Sequence, residues 1–274
     1  METVTSADGT RIAYWREGSG PPLLLVHGGI CDHFAWYFVV PLLAQRFSVY
    51  TFDRRGRGAS GDTPPYAPER EREDIAAMLR AIGEPAHLLG HSAGGILALQ
   101  AAGRARDLLS LILYEPAFVV EGARERPGPE SLEKMRRLLA AGDRDEVVRT
   151  AMRESVGASD TEIAALASGP GWTHLLEVAP AIPNDWMLWE ERFDAKSAGT
   201  MRTSTLMLAG SESPDWLRTG AEAVLAALPD ARMAALPGQG HSAMITAPEL
   251  FARAVMEFAD GSTPSPSRAA ESRP

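Results

Sequence analysis

The pentapeptide Gly90-His91-Ser92-Ala93-Gly94 is the stretch of this chain best suited to nucleophilic chemistry. It fits G-x-S-x-G, and its surroundings suit the fit. The apolar run Ala86-His87-Leu88-Leu89 before it reads as a buried strand, and Ile96–Ala102 after it is rich in helix formers. A serine on a sharp strand-to-helix turn is held in strained backbone geometry with its hydroxyl exposed, and the flanking glycines permit the turn because side chains there would clash. The competing reading is a tight turn whose serine only caps the next helix. A serine hydroxyl is a poor nucleophile at neutral pH and needs a base within hydrogen-bond reach.

The elements that must position this serine can be read from periodicity. Glu2–Ser6 and Arg11–Arg16 flank Asp8-Gly9, a hairpin-turn signal. Pro22–Val26 is an unbroken apolar run, typical of a strand covered on both faces. Further strands are expected at Phe47–Phe52, Ala86–Gly90, Leu111–Tyr114, Thr205–Ala209 and Arg232–Leu236. Helices are expected at Glu69–Ile82, from Ser92 onward, at Trp216–Leu228 and at Thr246–Ala259, where Thr246 and Glu249 have capping-box spacing. Alternating strands and helices imply an α/β fold with a mostly parallel central sheet flanked by helices.

The alternation breaks once. Between Glu115 and Thr203 the sequence shows helical segments at Ser131–Ala141, Asp143–Ser155, Thr161–Ala167 and Asn184–Phe193. A helical block between two sheet strands implies a cap above the sheet. The expected division is a core of 1–116 and 203–260, a cap of 117–202, and a disordered Ser/Pro-rich tail of 261–274.

Ligands of open parallel sheets bind beyond the carboxyl ends of the strands. The residues standing there are His27-Gly28-Gly29, Asp53-Arg54-Arg55-Gly56, Ser92, Glu115, the loop Gly210–Asp215, and Gly238-Gln239-Gly240-His241. Over residues 3–260 these stretches resemble the α/β-hydrolase superfamily, whose triads run in the chain order nucleophile, acid, base. The resemblance implies that Ser92 is the nucleophile and His241 the base. It also implies that the backbone N–H groups of Gly29 and Ala93 form the oxyanion hole.

The acid departs from the usual pattern. The usual position, three residues after Gly210, holds Ser213, which cannot carry a compensating charge. Glu115, directly after an apolar strand, is favoured, with Asp215 and Glu212 as alternatives. Haloalkane dehalogenases and zearalenone lactonases are superfamily members with the acid at the Glu115 position. His27 and His91 are read as ordering loops. His87 and His174 have no motif support, and Asp53 is read as structural.

A serine nucleophile suits acyl transfer, and the resemblance implies a carboxylic ester or lactone hydrolase working through an acyl-enzyme. The alternatives are a carbon–carbon bond hydrolase or cofactor-free perhydrolase on the same triad, or a low-turnover small-molecule-binding member. Ile30, His33, Trp186 and Trp189 are the expected substrate contacts, and the cap aromatics imply a fairly hydrophobic substrate.

The 274 residues, 45% hydrophobic and 23% charged, have an ordinary globular composition. A net charge of −9 without basic clusters argues against nucleic acid or an anionic membrane as partner. Arg54, Arg55 and Arg57 are read as pinning a loop. Scattered histidines and the single Cys31 give no metal cluster, and no dinucleotide fingerprint follows a strand. Neither a cofactor nor a metal is therefore expected. The lone cysteine, and the lack of a basic n-region and apolar h-region at Met1–Thr5, lead us to expect a cytoplasmic protein. The expected partner is a small-molecule substrate, with the chain a monomer or homodimer.

Overall fold

Strands that are apolar on both sides need cover on both faces, and the arrangement of the chain supplies it. The computed structural model describes residues 1–105, 107–120, 128–155, 157–169 and 171–262. Eight strands form one sheet: β1 Glu2–Thr5, β2 Arg11–Glu17, β3 Pro22–Val26, β4 Ser48–Phe52, β5 Ala86–His91, β6 Leu108–Tyr114, β7 Thr205–Gly210 and β8 Ala231–Leu236. Their order is β1-β2-β4-β3-β5-β6-β7-β8. The β1–β2 and β2–β4 pairs are antiparallel and the remaining pairs parallel.

The two-residue period of the strands divides their side chains between two cores. Leu24, Val26, Leu88, Leu111 and Leu113 pack with the helices Pro68–Ile82, Ala93–Ala102 and Asp215–Ala227. Leu23, Leu25, Leu89, Ile112 and Tyr114 pack against the short helix Val40–Leu43 and the last helix, Pro248–Ser262. From β3 the chain turns to β4 on one side and returns to β5 on the other. This reversal opens a crevice at the carboxyl ends of β3 and β5, where ligands of such sheets bind.

The block between β6 and β7 is helical, as expected. It comprises Pro129–Ala140, Arg144–Ser155, Asp160–Ala167, Trp172–Val178, Ile182–Trp189 and the single turn Ala195–Ala198. Ser159 and Glu162 form a reciprocal capping box. Trp172–Val178 was not anticipated, and the helix expected at Asn184–Phe193 starts at Ile182 and ends at Trp189. The Thr246–Glu249 capping box does not form. Thr246 closes a separate turn, Ala243–Thr246, and its hydroxyl donates to Gln239 Oε1 at 2.8 Å. The long helix starts at Pro248, so Pro248 rather than a capping side chain sets its first turn. Gly261 and Ser262 belong to this helix, and the rest of the expected tail lies outside the described residues.

The arginines after β4 hold the loop, as read from the sequence. Arg54 makes a two-pronged pair with Glu71, both contacts at 2.6 Å. Arg55 makes another with Asp74, at 2.8 and 2.7 Å. Arg57 Nη2 reaches Asp185 Oδ1 of the cap at 2.8 Å. All three guanidiniums are buried, a setting that charged groups tolerate only when paired and hydrogen-bonded.

Three histidines are also buried. Burial pushes His87 down to about 4 from 6.5, and holds His27 and His91 well below the same value. The unfolded chain therefore binds protons below 6.5 that the folded chain refuses. The penalty is absent at higher pH and grows as pH falls, by up to about 1.4 kcal/mol per pH unit for each ring. Between about pH 7 and about pH 5.5, above the carboxylate range, we expect the urea unfolding midpoint to drop, and to drop less in His87→Asn. A midpoint that stays level across this window would show that the buried rings protonate freely.

Candidate active site

Ser92 stands between β5 and the helix Ala93–Ala102 with φ 55° and ψ −122°. The residues two before and two after it must be glycine. A Cβ on Gly90 would lie 2.4 Å from the Gly94 carbonyl oxygen, and one on Gly94 would lie 2.3 Å from that of His27. Ser92 occupies the N-cap position, yet its side chain makes no capping hydrogen bond, so the capping role does not explain the serine. The peptide is fixed from the next strand: Ser92 N–H donates to Tyr114 O at 3.0 Å, and Ala117 N–H donates to Ser92 O at 3.2 Å.

Glu115 follows β6 and is fully buried. Its Oε1 accepts the Gly210 N–H at 2.7 Å, and its Oε2 takes the Nδ1 proton of His241 at 2.5 Å. That bond leaves Nε2 as the basic nitrogen of the ring. The other carboxylates lie elsewhere. Asp215 opens the helix Asp215–Ala227, is exposed and pairs with Arg218. Glu212 lies at the cavity rim with its backbone N–H bonded to Gln239 O. Ser213, at the usual acid position, is buried. Of the three carboxylates left open by the sequence, Glu115 is the one the fold brings to His241.

Ile30, Ser92 and Glu115, with φ of 55°, 55° and 44°, are the non-glycine residues in the left-handed region among the described residues. All three stand at this one edge of the sheet. Such strain persists only where surrounding structure enforces it, and it concentrates at functional sites.

The edge opens into a cavity of about 480 Å³ beneath the cap. Ser92, Ala93, His241, Gly29, Ile30, Trp186 and Trp189 all line it. The two indoles share one helix face, their ring centres 4.9 Å apart. Met152, Trp216, Leu217, Met244 and Ile245 complete a largely apolar wall. A second hollow of about 510 Å³, bordered by Gln100, Phe118, Glu191 and Met201, contains none of the candidate groups.

His33 is placed differently from expectation. It is not among the residues lining the cavity. Its ring stacks on Trp15 at 3.6 Å, and its Nδ1 bonds Asp53 Oδ1 at 2.6 Å. His27 orders a loop: Nδ1 donates to Gly28 O at 2.9 Å, and Nε2 accepts the Arg54 N–H at 3.1 Å. Asp32, His33 and Asp53 hold metal-capable atoms within 4.8 Å of one another. Their oxygens already serve the loops. Asp53 accepts the N–H groups of His33 and Ala59, and Asp32 accepts that of Phe34 and pairs with His174.

Asp185 is the site residue that sequence reasoning missed. This buried cap residue takes Arg57 at 2.8 Å and Arg54 at 3.0 Å on Oδ1, and the Ile30 N–H at 3.4 Å on Oδ2. A Cβ on Gly29 would meet its Oδ2 at 2.9 Å. The available signal was a lone carboxylate in the largely apolar helix Ile182–Trp189 of a chain with three clustered arginines.

The family model described as the alpha/beta hydrolase family matches residues 23–254. This chain belongs to the alpha/beta hydrolase family. The chain is 36% identical to a crystal structure of an alpha/beta hydrolase from Sphaerobacter thermophilus, covering 94% of this chain and 99% of that one with a TM-score of 0.87. It is 25% identical to a thermophilic esterase from Thermogutta terrifontis, over 95% and 98% of the two chains with a TM-score of 0.71. It is also 39% identical to N-formylmaleamate deformylase of Pseudomonas putida over 127 residues, which are 44% of this chain and 47% of that protein. The chain spans between 12% and 57% of the length of eight curated relatives it matches. No described helix is long and apolar enough to cross a membrane.

Removing one partner of a buried ion pair strands the other. We expect Asp185→Ala to lower the unfolding free energy by about 3–5 kcal/mol. Asp215→Ala, at an exposed pair, should change it by about 0.5 kcal/mol or less. Equal losses for the two variants in urea unfolding would show that the cap–core pairing contributes nothing specific.

Proposed function

We propose that this protein is a serine hydrolase that cleaves a carboxylic ester or lactone of a neutral, fairly hydrophobic small molecule through an acyl-enzyme. The observation that carries the proposal is the 2.5 Å bond from His241 Nδ1 to the buried Glu115 carboxylate, on the cavity wall that His241 shares with Ser92. With Nδ1 tied to a carboxylate, His241 is oriented with Nε2 ready to accept a proton and is stabilised once it becomes imidazolium.

In the first half-reaction, Ser92 Oγ attacks the carbonyl carbon and its proton passes to His241 Nε2. The carbonyl oxygen takes the negative charge, and the N–H groups of Gly29 and Ala93 are the proposed donors to it. When the tetrahedral adduct collapses, the C–O bond to the leaving group breaks, and that oxygen receives the proton from His241. Water then attacks the acyl-Ser92 ester with His241 again as base, releasing the acid and restoring the hydroxyl. Bond formation and cleavage balance without a redox partner.

Ile30, Trp186 and Trp189 are proposed to hold the apolar part of the substrate. The Asp185 charge is compensated by Arg54 and Arg57, so Glu212 is the carboxylate left to face the cavity, whose wall includes, among the described residues, neither lysine nor arginine. A carboxylate on the substrate would meet like charge there, and like-charge contacts are penalised.

Fluorophosphonate labelling tests the nucleophile: Ser92 should be modified in folded protein and Ser92→Ala left unlabelled. For an activated p-nitrophenyl ester, Glu115→Gln should lower kcat/KM by roughly two to four orders of magnitude. Asp215→Asn should lower it by less than about twofold, as an exposed residue away from the reacting atoms. Near-normal turnover in Glu115→Gln would refute the acid. Turnover of vinylogous diketones without ester turnover would replace the esterase reading by carbon–carbon hydrolysis. Between esters of equal length, we expect p-nitrophenyl butyrate to exceed the hemisuccinate by about tenfold or more, with the gap narrowed in Glu212→Gln.

A further inference from the structure

His91 and Tyr114 are paired positions at the ends of β5 and β6. Each directly precedes a proposed triad residue, His91 before Ser92 and Tyr114 before Glu115. Their rings stack, with centres 5.1 Å apart and planes 29° apart. Both reach for the same segment, the loop that carries His241. His91 Nε2–H donates to the His241 carbonyl at 2.8 Å. The Tyr114 hydroxyl donates to the Gly240 carbonyl and accepts the Ala243 N–H, the latter at 3.1 Å. These three bonds bracket the backbone of His241 on both sides.

The loop has little else to hold it there. Pro237, Gly238 and Ser242 are exposed, and Gln239, Gly240 and His241 are half-buried. Its other backbone bonds among the described residues lie upstream, from Gln239 N–H to Leu236 O, from Glu212 N–H to Gln239 O and from Gly238 N–H to Ser211 Oγ, or close the turn that follows Ser242. By contrast, both donors are buried. Burial also holds His91 below the ordinary imidazole value and Tyr114 above the ordinary phenol value, so both are in the form this bonding needs. A carbonyl only accepts, so the proton of the neutral His91 ring sits on Nε2. Among the described residues, Nδ1 is then a buried acceptor without a partner. Leaving such a group unpaired costs free energy. An apolar ring would fill the same space without that cost, so packing alone does not explain a histidine here.

We propose that His91 and Tyr114 are positioning residues that latch the His241 loop, setting the base against the nucleophile and the acid. The proposal rests on the assignment of Ser92, His241 and Glu115 given above. Its consequence is that one residue on each of two adjacent strands sets two members of the triad at once. Ser92 directly follows the His91 latch at the end of β5, and Glu115 directly follows the Tyr114 latch at the end of β6. A shift in either strand end then moves the base together with its partner.

The test uses Tyr114→Phe, His91→Phe and His91→Gln. The first two keep the rings and remove the donors, and the third keeps an N–H donor without the ring. Four quantities are read: kcat, KM, the melting temperature, and the far-downfield proton resonance of the His241–Glu115 bond. A misplacement of about 1 Å costs on the order of a hundredfold in rate, so we expect kcat to fall about 10- to 100-fold in the Phe variants while KM stays within about twofold. The downfield resonance should broaden or shift, and His91→Gln should recover part of the loss seen in His91→Phe. Unchanged kcat and resonance in Tyr114→Phe would overturn the latch, as would a kcat loss accompanied by melting at the assay temperature. If His91→Phe does not fold, Tyr114→Phe alone decides. Failure of the underlying triad looks different: wild-type protein would lack the downfield resonance and Glu115→Gln would retain its kcat.

Discussion

A carboxylate buried without exposure must be satisfied by its neighbours, and Glu115 is satisfied by two groups that come from far along the chain. Gly210 N–H and His241 Nδ1 take one oxygen each, at 2.7 and 2.5 Å. Burying an ionised carboxyl unpaired would cost more than a typical domain's whole stability margin. The end of β6, the end of β7 and the loop after β8 are therefore bound into one arrangement. The cavity forms around this arrangement, because the same sheet edge also presents Ser92 and Gly29.

That edge is strained, and the strain has identifiable supports. Ser92 and Glu115 both hold positive φ, and each is tied to the strand next to it. Ser92 N–H bonds Tyr114 O on β6, and Glu115 N–H bonds Leu208 O on β7. Ile30, the third strained residue, is tied instead to the cap through Asp185. Parallel pairing of β5, β6 and β7 delivers these bonds in register. The sheet is thus the device that holds two unfavourable backbone conformations side by side, at a cost of order 1–3 kcal/mol each.

Much of this was legible in the sequence because it rests on local rules. Gly90 and Gly94 announce a turn that no other residue fits. Glu115 after Leu111–Tyr114 announces a buried charge that needs a partner, and a histidine in a glycine-flanked loop at another strand end is a suitable one. The errors fall where long-range packing decides. Nothing near His33 in the chain reveals that Trp15 will stack on its ring or that Asp53 will take its Nδ1. Thr246 and Glu249 have capping spacing, but Gln239 claims the Thr246 hydroxyl and Pro248 starts the helix. The role of Asp185 was missed for the same reason, since its partners lie more than a hundred residues away.

Asp185 also bears on the electrostatics proposed for the reaction. An oxyanion is stabilised by N–H dipoles only if no nearby charge opposes them. A carboxylate whose Oδ2 would lie 2.9 Å from a Cβ on Gly29 would oppose them if it stood alone. Its other oxygen is held by Arg57 at 2.8 Å and Arg54 at 3.0 Å, while Arg54 is shared with Glu71. The four groups are two cations and two anions, with no net charge. Asp185 is thereby held beside the Gly29–Ile30 segment without a net charge facing the site. These ion pairs tie the cap helix that carries Trp186 and Trp189 to the Arg54–Arg57 loop, and two hydrogen bonds, Ile30 N–H to Asp185 and Arg54 to Gly28 O, add the segment that carries Gly29 and Ile30, so the apolar wall and the proposed oxyanion donors keep one geometry. A shift of the cap would have to break buried ion pairs before it could widen the cavity, which makes the position of these indoles a property of the Arg54–Arg57 loop as much as of the cap itself.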